Sequence, residues 1–387
     1  MTASRTRVAL MGATGSIGAQ TLEVLRREPE SFELVAVSGG RRVEELAAVI
    51  NEFDVRHVGV ADERDRRRLA ALVNDRVEIM AGEKGLRELC TGPDVVVNAV
   101  MGFAGLPVTL ATLEAGARLA LANKESLIAA APVVASARRT PGAQILPVDS
   151  EHCAIYQCLI GSTEPGHPDV ARLLLTASGG PFRGWSFERL GVVTKSDALA
   201  HPTWSMGPKI TIDSSTLMNK GLEVLEASAL FGIDVDRIDV VVHPQSIVHS
   251  MVEYVDGSVL AQLSRPDMRL PIAYCLGAPL RLAHHWGQLD FNSALRLDFE
   301  PPDRAAFPAL DLAFAAARRG GAAPAWLSAA NEVCVEAFLE DRISWGDIVP
   351  LVARTLDEYV DDPLVNLDAV VANDAQARRI THGNLPS

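Results

Sequence analysis

At about 100–200 residues per domain, the 387-residue chain is long enough for two or three domains, and its 48% hydrophobic and 22% charged residues are ordinary for a globular protein. Its 36 Lys and Arg against 49 Asp and Glu give a formal net charge of −13, and 5% of its residues are aromatic. This balance argues against a protein that wraps nucleic acid and against a stacking platform for bases, although it leaves room for a small anion site.

The five cysteines predict neither a disulfide framework nor a zinc site, because they are few, odd in number and nowhere spaced as CxxC. We therefore expect reduced thiols and a cytoplasmic location. The chain opens on a short polar segment instead of a signal peptide, and no apolar run approaches the ~20 residues that span a bilayer. The sequence thus predicts a soluble intracellular protein with no membrane partner.

Residues 1–149 alternate between short β-rich runs and segments with helical spacing. Strands that are apolar on both faces and joined by helices are typical of an α/β domain with a covered parallel sheet. The predicted strands are Val8–Met11, Phe32–Val37, His57–Val60, Val77–Met80, Asp94–Val100, Arg118–Ala122 and Gln144–Val148. The predicted helices are Gln20–Arg27, Val43–Asn51, Leu106–Glu114 and Ser126–Arg138.

A glycine-rich turn, GATGSIG (Gly12–Gly18), joins the first predicted strand to a helix. Its GxxGxxG spacing is a variant of the dinucleotide fingerprint, in which glycines let the backbone approach a pyrophosphate at the start of a helix. A purely structural turn also needs glycine. The position after the first strand of an α/β domain favours nucleotide binding.

The residues at the end of the second predicted strand indicate whether the dinucleotide is NAD or NADP(H). Enzymes that use NAD usually place an acidic residue here, whereas this strand ends in Ser38-Gly39-Gly40-Arg41-Arg42. Two guanidinium groups suit a 2′-phosphate by charge and by bidentate hydrogen bonding. We therefore favour NADP(H) over NAD, with a solvated basic first turn of the next helix as the alternative.

Three carboxylates are candidates for a metal site. Asp149 and Glu151 end an apolar strand and, as alternate residues, could converge, while Glu223 lies further along in MNKGLE (Met218–Glu223). Close like charges repel unless a cation or proton separates them, and oxygen ligands suggest Mg²⁺ or Mn²⁺. The alternative is an acidic helix start stabilised by the helix dipole. Spacing alone does not show that Glu223 reaches the other two.

From about Asp149 to Leu276 the pattern predicts an α+β domain with a mixed or antiparallel sheet. The Asp256-Gly257 pair is a strong hairpin signal between the last two strands. The predicted elements are a helix His152–Ile160, a strand Ala171–Ala177, a loop Ser178–Pro208, one long helix at about Ser215–Phe231, and strands Ile238–His243, Ile247–Val255 and Ser258–Ser264.

Two segments of this part could hold a phosphate. TASGG (Thr176–Gly180) follows a strand with hydroxyls and open backbone, and DSST (Asp213–Thr216) precedes a helix that carries Asn219 and Lys220. Hydroxyl, amide and ammonium donors near a helix start form an anion site. Each segment also has a structural interpretation, such as helix capping by Ser214.

HPTWSMG (His201–Gly207) is a loop flanked by proline and glycine. It could be a lid that excludes water, with Trp204 at its tip, or a packed loop with a buried tryptophan. His152, His243 and His249 have no metal-ligand spacing among themselves, and a lone histidine is more often a satisfied core or surface group.

The last quarter of the chain predicts a small helical bundle after a linker. The linker, Leu276–Asp303, contains three prolines and has weak periodicity. Ser344 and Asn366 are plausible N-caps. The helical segments are Ala305–Arg319, Ala325–Asp341, Trp345–Tyr359 and Leu367–Ile380.

Eight motifs, in the family's order and across nearly the whole chain, make this sequence resemble the 1-deoxy-D-xylulose 5-phosphate reductoisomerases of the non-mevalonate isoprenoid pathway. They are GATGSIG (Gly12–Gly18), LANKESL (Leu121–Leu127), PVDSEH (Pro147–His152), TASGGPFR (Thr176–Arg183), HPTWSMG (His201–Gly207), IDSSTLMNKGLE (Ile212–Glu223), HPQSIVHSMV (His243–Val252) and NEVCVEAFL (Asn331–Leu339).

The resemblance implies a cytoplasmic homodimer that converts 1-deoxy-D-xylulose 5-phosphate to 2-C-methyl-D-erythritol 4-phosphate with NADPH and one Mg²⁺ or Mn²⁺. It implies a Rossmann-like NADPH domain at 1–149, a catalytic α+β domain at 150–277 with a lid at about 199–208, a linker at 278–303 and a helical domain at 304–387.

The resemblance also implies site residues, motif by motif. For NADPH they are Thr14, Gly15, Ser16, Ile17, Gly40, Arg41, Arg42, Asn123, Glu125 and Gly207. For the metal they are Asp149, Glu151 and Glu223. For the substrate they are Lys124, Ser150, Glu151, Ser178, His201, Trp204, Ser214, Asn219, Lys220 and Glu223, with Lys124, Glu151 and His201 as catalytic candidates.

Two other functions are compatible with parts of the pattern. A semialdehyde dehydrogenase can begin with a similar glycine turn but needs a reactive cysteine, and Cys153 lies on an apolar-looking helix where a thiolate is disfavoured. A non-enzymatic NADP sensor would not need three carboxylates together with a phosphate pocket.

Overall fold

The computed structural model describes residues 5–162, 164, 166–204, 206–284 and 286–386, and of residue 187 the backbone alone. Ser205 of the predicted lid lies outside the described residues. The contacts divide the chain into two compact units. The first comprises the chain up to Ser126, Val134–Cys153 and Asp267–Trp286, and the second comprises Leu127–Val133, Ala154–Pro266 and the chain from Gly287.

Parallel strands form the core of the first unit. They are β1 (Thr6–Met11), β2 (Phe32–Ser38), β3 (His57–Val60), β4 (Glu78–Ala81), β5 (Val95–Asn98), β6 (Arg118–Leu121) and β7 (Gln144–Pro147). Within the described residues they make one seven-stranded sheet in the order β4-β3-β2-β1-β5-β6-β7. The strand order reverses at β1, which pairs with both β2 and β5. In such sheets a ligand binds at the carboxyl ends of the strands on either side of this reversal.

The helices, in chain order, surround this sheet and build most of the second unit. They are α1 (Ser16–Arg27), α2 (Val43–Phe53), α3 (Glu63–Ala70), α4 (Gly82–Glu88), α5 (Leu106–Glu114), α6 (Lys124–Ala137), α7 (Ser150–Cys158), α8 (Phe187–Leu190), α9 (Lys195–Leu199), α10 (Pro208–Ser215), α11 (Met218–Phe231), α12 (Arg269–Gly277), α13 (Ala309–Arg319), α14 (Ala323–Leu339), α15 (Ile348–Asp357) and α16 (Leu367–Asn384).

The parallel sheet predicted from the alternating pattern is confirmed, with every predicted strand present to within a few residues. Helices α3, α4 and α12 were not predicted from the sequence. Helix α3 has eight residues with one buried apolar side chain, Leu69, and therefore shows no apolar periodicity. Helix α12 belongs to the first unit, although it follows the strands of the second unit along the chain.

The second unit contains a mixed four-stranded sheet. Its strands are β8 (Val170–Ala177), β9 (Ile238–Val242), β10 (Val248–Tyr254) and β11 (Val259–Leu263), in the order β11-β10-β8-β9. Only β8 and β9 are parallel among these described strands. Gly257, with φ +84°, closes the predicted hairpin between β10 and β11. The predicted mixed sheet and hairpin are thus confirmed.

The helix predicted at about Ser215–Phe231 is α11, which begins three residues later, at Met218, because Leu217 before it adopts a left-handed conformation (φ +59°). Helix α10, which ends just before it, was not predicted. The segment predicted as the loop Ser178–Pro208 contains the short helices α8 and α9, the latter capped by Thr194. Sequence patterning misses helices of four or five residues because they span barely one turn.

The C-terminal helices follow the prediction closely. A 3₁₀ turn at Trp345–Asp347 precedes α15, so the third predicted helix begins with a tighter turn. The side chain of Asn366 accepts a hydrogen bond from the Ala369 amide, which confirms one predicted cap, and Ser344 precedes the 3₁₀ turn as predicted for the other. Among the described residues, no helix has the length and apolar character that crossing a membrane requires.

Candidate functional site

The glycine-rich turn between β1 and α1 is built by close backbone contacts. Gly12 has φ +89°, and a Cβ placed on it would lie 2.5 Å from the Ala99 carbonyl oxygen. A Cβ on Gly18 would lie 2.3 Å from the Gly12 carbonyl oxygen. Neither position accepts a side chain, so both glycines are needed to fold the turn against the end of β5 and the start of α1.

The start of α1 is open to an anion. Gly15 is its N-cap in an extended conformation, no described side chain caps its first amides, and its first turn carries no acidic residue. Uncapped amides and the positive end of the helix dipole attract negative charge. The turn therefore fits a pyrophosphate at Gly15, Ser16 and Ile17.

Arg41 and Arg42 lie exposed just after β2, as the sequence predicted. Arg42 donates a hydrogen bond to the Thr14 carbonyl and pairs with Glu45 at 3.2 Å, so it lies beside the glycine turn. Arg41 lines a cleft of about 290 Å³ together with Arg64, Arg68, Asp62 and Asp65. The exposed guanidinium groups and this cleft suit a phosphate next to the dinucleotide turn.

Asn123 ties the start of α6 to the loop after β5. Its Oδ1 accepts a hydrogen bond from the Ser126 amide at 3.0 Å, and its Nδ2 donates to the carbonyls of Val100 (2.8 Å) and Gly102 (2.7 Å). Its Nδ2 also lies 3.2 Å from Glu125 Oε2. Asn123 and Glu125 are buried, and the hydrogen bonds of Asn123 hold the neighbouring backbone in place at the carboxyl end of the sheet.

Lys124 and Asp149 form a largely buried ion pair at the carboxyl ends of β6 and β7. The distance between Lys124 Nζ and Asp149 Oδ2 is 2.8 Å, and the two side chains are 7% and 12% exposed. Asp149 Oδ1 also lies 3.2 Å from His152 Nδ1, and Glu151 contacts the Ser150 hydroxyl. The ammonium of Lys124 thus balances the Asp149 carboxylate, with the His152 ring beside it.

His152 is a further candidate site residue, because its ring lies beside Asp149; from the sequence it was interpreted as a lone core or surface histidine. It is fully buried, one helical turn after Asp149. The i, i+3 spacing from Asp149 at the start of a predicted helix was the available signal, because residues three apart share a helix face.

One turn of α11 carries Asn219, Lys220 and Glu223 in the second unit. Glu223 is 1% exposed, accepts a hydrogen bond from Asn219 Nδ2 at 2.5 Å and pairs with Lys220. The i, i+3 and i, i+4 spacing brings these three predicted site residues together.

Ser178 and His201 are also brought together. Ser178 Oγ lies 3.1 Å from His201 Nε2, and His201 Nδ1 accepts the amides of Thr203 (3.2 Å) and Trp204 (2.9 Å). Because Nδ1 is an acceptor, the proton of the neutral ring lies on Nε2 and is donated to Ser178. Burial lowers the pKa of His201 and favours this neutral form.

The TASGG and DSST segments meet in the second unit. Gly180 has φ +68°, and a Cβ on it would lie 2.5 Å from the Ser214 carbonyl oxygen. Ser214 itself is buried in the last turn of α10. Gly180 is therefore required for the approach of the two segments predicted to hold a phosphate.

Trp204 and Gly207 are the predicted site residues that lie toward the end of the predicted lid. Trp204 is half-buried, its ring 6.2 Å from that of His249 between centroids, and Gly207 is the N-cap of α10. Asp149 and Glu151 belong to the first unit and Glu223 to the second, so the three-carboxylate metal site remains a prediction.

Models of one protein family match most of the chain. The model described as 1-deoxy-D-xylulose 5-phosphate reductoisomerase matches residues 8–131, the model of the C-terminal domain of that enzyme matches 145–231, and the model described as DXP reductoisomerase C-terminal domain matches 263–380.

Relatives and solved structures agree over the full length. A 1-deoxy-D-xylulose 5-phosphate reductoisomerase of a Synechococcus species is 48% identical, with 98% of each chain covered. The structure of the Zymomonas mobilis enzyme in complex with NADPH is 42% identical, with a TM-score of 0.91 over 99% of this chain and 100% of that one. A structure of DOX-P reductoisomerase with NADPH, fosmidomycin and magnesium is 40% identical, with a TM-score of 0.90 and 98% of each chain covered.

Proposed function

Because the chain belongs to the 1-deoxy-D-xylulose 5-phosphate reductoisomerase family, we infer that it catalyses the NADPH-dependent rearrangement and reduction of that sugar phosphate to 2-C-methyl-D-erythritol 4-phosphate. The observation that carries this function is full-length identity of 48% to such an enzyme, with coverage of 98% on both sides. A dehydrogenase with another substrate or a binding-only sensor would not share every segment of the chain with this family.

We propose that NADPH binds along the carboxyl end of the parallel sheet. Its pyrophosphate lies on the uncapped start of α1, and its 2′-phosphate is bound by Arg41 and Arg42, which are exposed beside the same turn. The proposed contacts are Thr14, Gly15, Ser16, Ile17, Gly40, Arg41, Arg42, Asn123, Glu125 and Gly207.

We propose that one Mg²⁺ or Mn²⁺ is held by Asp149, Glu151 and Glu223. Carboxylate oxygens are the ligands that such hard cations prefer, and this composition supports the assignment. When bound, the ion supplies Lewis acidity toward the ketone and hydroxyl oxygens of the substrate. Lys124 now balances Asp149 at 2.8 Å and can present its ammonium to a developing negative oxygen.

We propose that Ser178, Ser214, Asn219 and Lys220 bind the substrate phosphate. Lys220 is 3% exposed, so its charge acts in surroundings where water screens it little. This remote binding energy orients the reacting carbons. Ser150, Glu151, His201, Trp204 and Glu223 complete the proposed substrate site. Trp204 covers the substrate and excludes water.

His201, Lys124 and Glu151 are the proposed catalytic residues. The neutral His201 donates its Nε2 proton to the Ser178 hydroxyl, which leaves the hydroxyl proton of Ser178 available to the substrate phosphate. Lys124 follows β6 and Glu151 follows the adjacent strand β7, at the same edge of the sheet, and both groups can hold or exchange protons during the rearrangement.

We also propose a homodimer and the domain division 1–149, 150–277 with a lid at about 199–208, a linker at 278–303 and a helical domain at 304–387. The order of the elements supports the division, since the parallel sheet, the mixed sheet and the helices α13–α16 follow one another along the chain, whereas α12, at the end of 150–277, packs within the first unit. Sedimentation of the purified protein measures its oligomeric state.

An assay of NADPH oxidation with 1-deoxy-D-xylulose 5-phosphate and Mg²⁺ tests the function. We expect turnover that is abolished by chelation and restored by Mg²⁺ or Mn²⁺. The variant Glu151→Gln keeps the shape of the side chain and removes a charged ligand, so we expect at least a roughly hundredfold loss of kcat/KM. Absence of turnover with folded wild-type protein would overturn the activity, and an unaltered Glu151→Gln would overturn the metal assignment alone.

A further inference from the structure

Two hydrogen bonds tie the C-terminal helices to α10, the helix that carries Ser214. Asn331 of α14 donates from Nδ2 to Asp213 Oδ1 at 2.7 Å. Trp345, in the 3₁₀ turn before α15, donates from Nε1 to Ser215 Oγ at 2.9 Å. Asp213 and Ser215 are the chain neighbours of Ser214, so Ser214 is held from both sides.

The first of these contacts anchors a buried charge. Asn331 is 0% exposed and Asp213 is 1% exposed. Lys209, one turn earlier on α10, places its Nζ 2.8 Å from Asp213 Oδ2. Hydrogen bonds to a buried charged group are stronger than neutral ones, and removal of a donor leaves the carboxylate poorly solvated. Asn331 therefore fixes the rotation of α10 about its own axis.

The second contact extends to the other proposed phosphate segment. The ring of Trp345 stands edge-on to Phe182, with centroids 5.3 Å apart. Phe182 follows Gly180, whose missing side chain lets the TASGG segment pack against the Ser214 carbonyl. One indole thus contacts both the segment with Ser178 and the helix with Ser214.

We propose that Asn331 and Trp345 are positioning residues for substrate phosphate binding, acting through Asp213 and Ser215 on Ser214. The inference rests on the proposed function of Ser214 as a phosphate ligand. A rotation or slip of α10 moves the Ser214 donor away from the phosphate, so substrate binding weakens before the fold is lost. Of the ten residues proposed for NADPH, only Gly207 adjoins α10, as its N-cap, and the glycine-rich turn belongs to the first unit. We therefore expect NADPH binding to change much less than binding of the sugar phosphate.

The test compares matched variants of the full-length protein. Asn331→Leu removes the amide donor at similar volume, and Trp345→Phe removes the indole N–H but keeps an aromatic ring against Phe182. We expect KM for the sugar phosphate to rise about tenfold in Asn331→Leu, the factor that corresponds to about 1.4 kcal/mol. We expect a rise of roughly threefold in Trp345→Phe and a change below about twofold in KM for NADPH.

Asn373→Leu is the matched control. Asn373 is also a buried amide of the C-terminal helices, 2% exposed, and accepts a hydrogen bond from Trp326 Nε1 at 2.9 Å without contact to α10 in the described hydrogen bonds. Its loss lowers thermal stability as a buried hydrogen bond should, and we expect its KM values to stay at the wild-type level.

Ser214→Ala separates failure of the inference from failure of the proposed function. If Ser214→Ala leaves KM for the sugar phosphate unchanged, the phosphate role of Ser214 is wrong. If Ser214→Ala raises KM while Asn331→Leu and Trp345→Phe do not, the phosphate role stands and the positioning role is overturned. We expect Asn331→Leu to add little in the Ser214→Ala background, since residues that act through one another are non-additive.

Two further outcomes would also overturn the positioning role. One is an equal rise of KM from Asn331→Leu in both backgrounds, and the other is a rise in Asn373→Leu, because either would signal general destabilisation. If Asn331→Leu does not fold, Trp345→Phe decides in its place, because it keeps the aromatic packing.

Discussion

His201 shows how a few backbone groups set the state of one side chain. The amides of Thr203 and Trp204 both point at Nδ1, and Ser178 Oγ lies at Nε2. A protonated ring has no acceptor to offer those amides, so the loop and the neutral histidine stabilise each other. Burial acts in the same direction and lowers the pKa of His201 from its ordinary 6.5.

We expect this histidine to make the protein less stable in mild acid. Since the folded-state pKa lies below the unfolded value of 6.5, the unfolded chain binds the proton first. The free energy of unfolding therefore falls as the pH drops below about 6.5, levels off below the lowered folded-state pKa, and is unaffected by this group at higher pH.

The variant His201→Gln provides the comparison, because an amide can accept and donate as the neutral ring does but does not titrate. Urea unfolding between about pH 5 and 8 should show the stability advantage of the wild type over the variant shrinking as the pH falls. If the stability difference between wild type and variant stays constant across this range, the folded protein does not keep His201 neutral, and the prediction is wrong.

The turn from β1 to α1 shows how one connection fixes both packing and chemistry. Its glycines bring the backbone of Gly12 against Ala99 and the first turn of α1 against Gly12. The same contacts leave the first amides of α1 uncapped among the described residues. Tight packing and the anion site are therefore consequences of one backbone path.

We expect Gly18→Ala to weaken NADPH binding and stability together. The added Cβ would meet the carbonyls of Gly12 and Ala13, at 2.3 and 2.5 Å, and backbone cannot move aside cheaply. Overpacking of this kind costs about 1–3 kcal/mol of stability. Because the backbone of the turn must shift to relieve it, the amides that face the pyrophosphate move, and we expect NADPH affinity to fall by roughly tenfold. Fluorescence titration with NADPH and a thermal melt measure both effects.

Gly383→Ala is the control for that experiment. Gly383 lies exposed in α16 with no atom within 4 Å of an added Cβ, and alanine favours a helix over glycine by up to about 1 kcal/mol. Its melting temperature should stay level or rise with NADPH affinity unchanged. Wild-type affinity and stability in Gly18→Ala would contradict the account of the turn.

All five cysteines lie in the described part of the chain, distributed over both units, and are buried without forming a disulfide. Burial raises the pKa of Cys90 and of Cys158 to about 11 and that of Cys334 to about 12. These three thiols are protonated at neutral pH, and burial keeps reagents and substrates away from all five cysteines. This agrees with a catalytic site made of carboxylates, lysine and histidine and disfavours a cysteine-dependent dehydrogenase.

We expect the folded protein to resist thiol reagents as a whole. Titration with a chromogenic disulfide at neutral pH should label no cysteine on the time scale of minutes, and all five should react in urea. Activity should survive treatment with iodoacetamide. Rapid labelling of a single cysteine with loss of turnover, prevented by substrate, would instead identify a reactive thiol in the site.

Much of the fold could be predicted from local patterns. Apolar periodicity and turn residues predicted the strands of the parallel sheet, the hairpin at Gly257 and the four C-terminal helical segments. Both signals depend only on near neighbours along the chain. The site residues were predicted from the motifs that this sequence shares with the family. The structure brings several of them together: Lys124 with Asp149, and Ser178 with His201.

The sequence could not predict what depends on contacts between distant segments. The left-handed turn at Leu217 between α10 and α11 and the hydrogen bond from Asn331 to Asp213, 118 positions away, follow from packing in the interior. A left-handed leucine is unfavourable locally and is tolerated because the surrounding packing outweighs its cost. The amino-acid pattern therefore established the strands, the helices and the motifs, while tertiary packing settled which donors face which acceptors, since hydrogen bonds act over about 3 Å and local periodicity carries no such information.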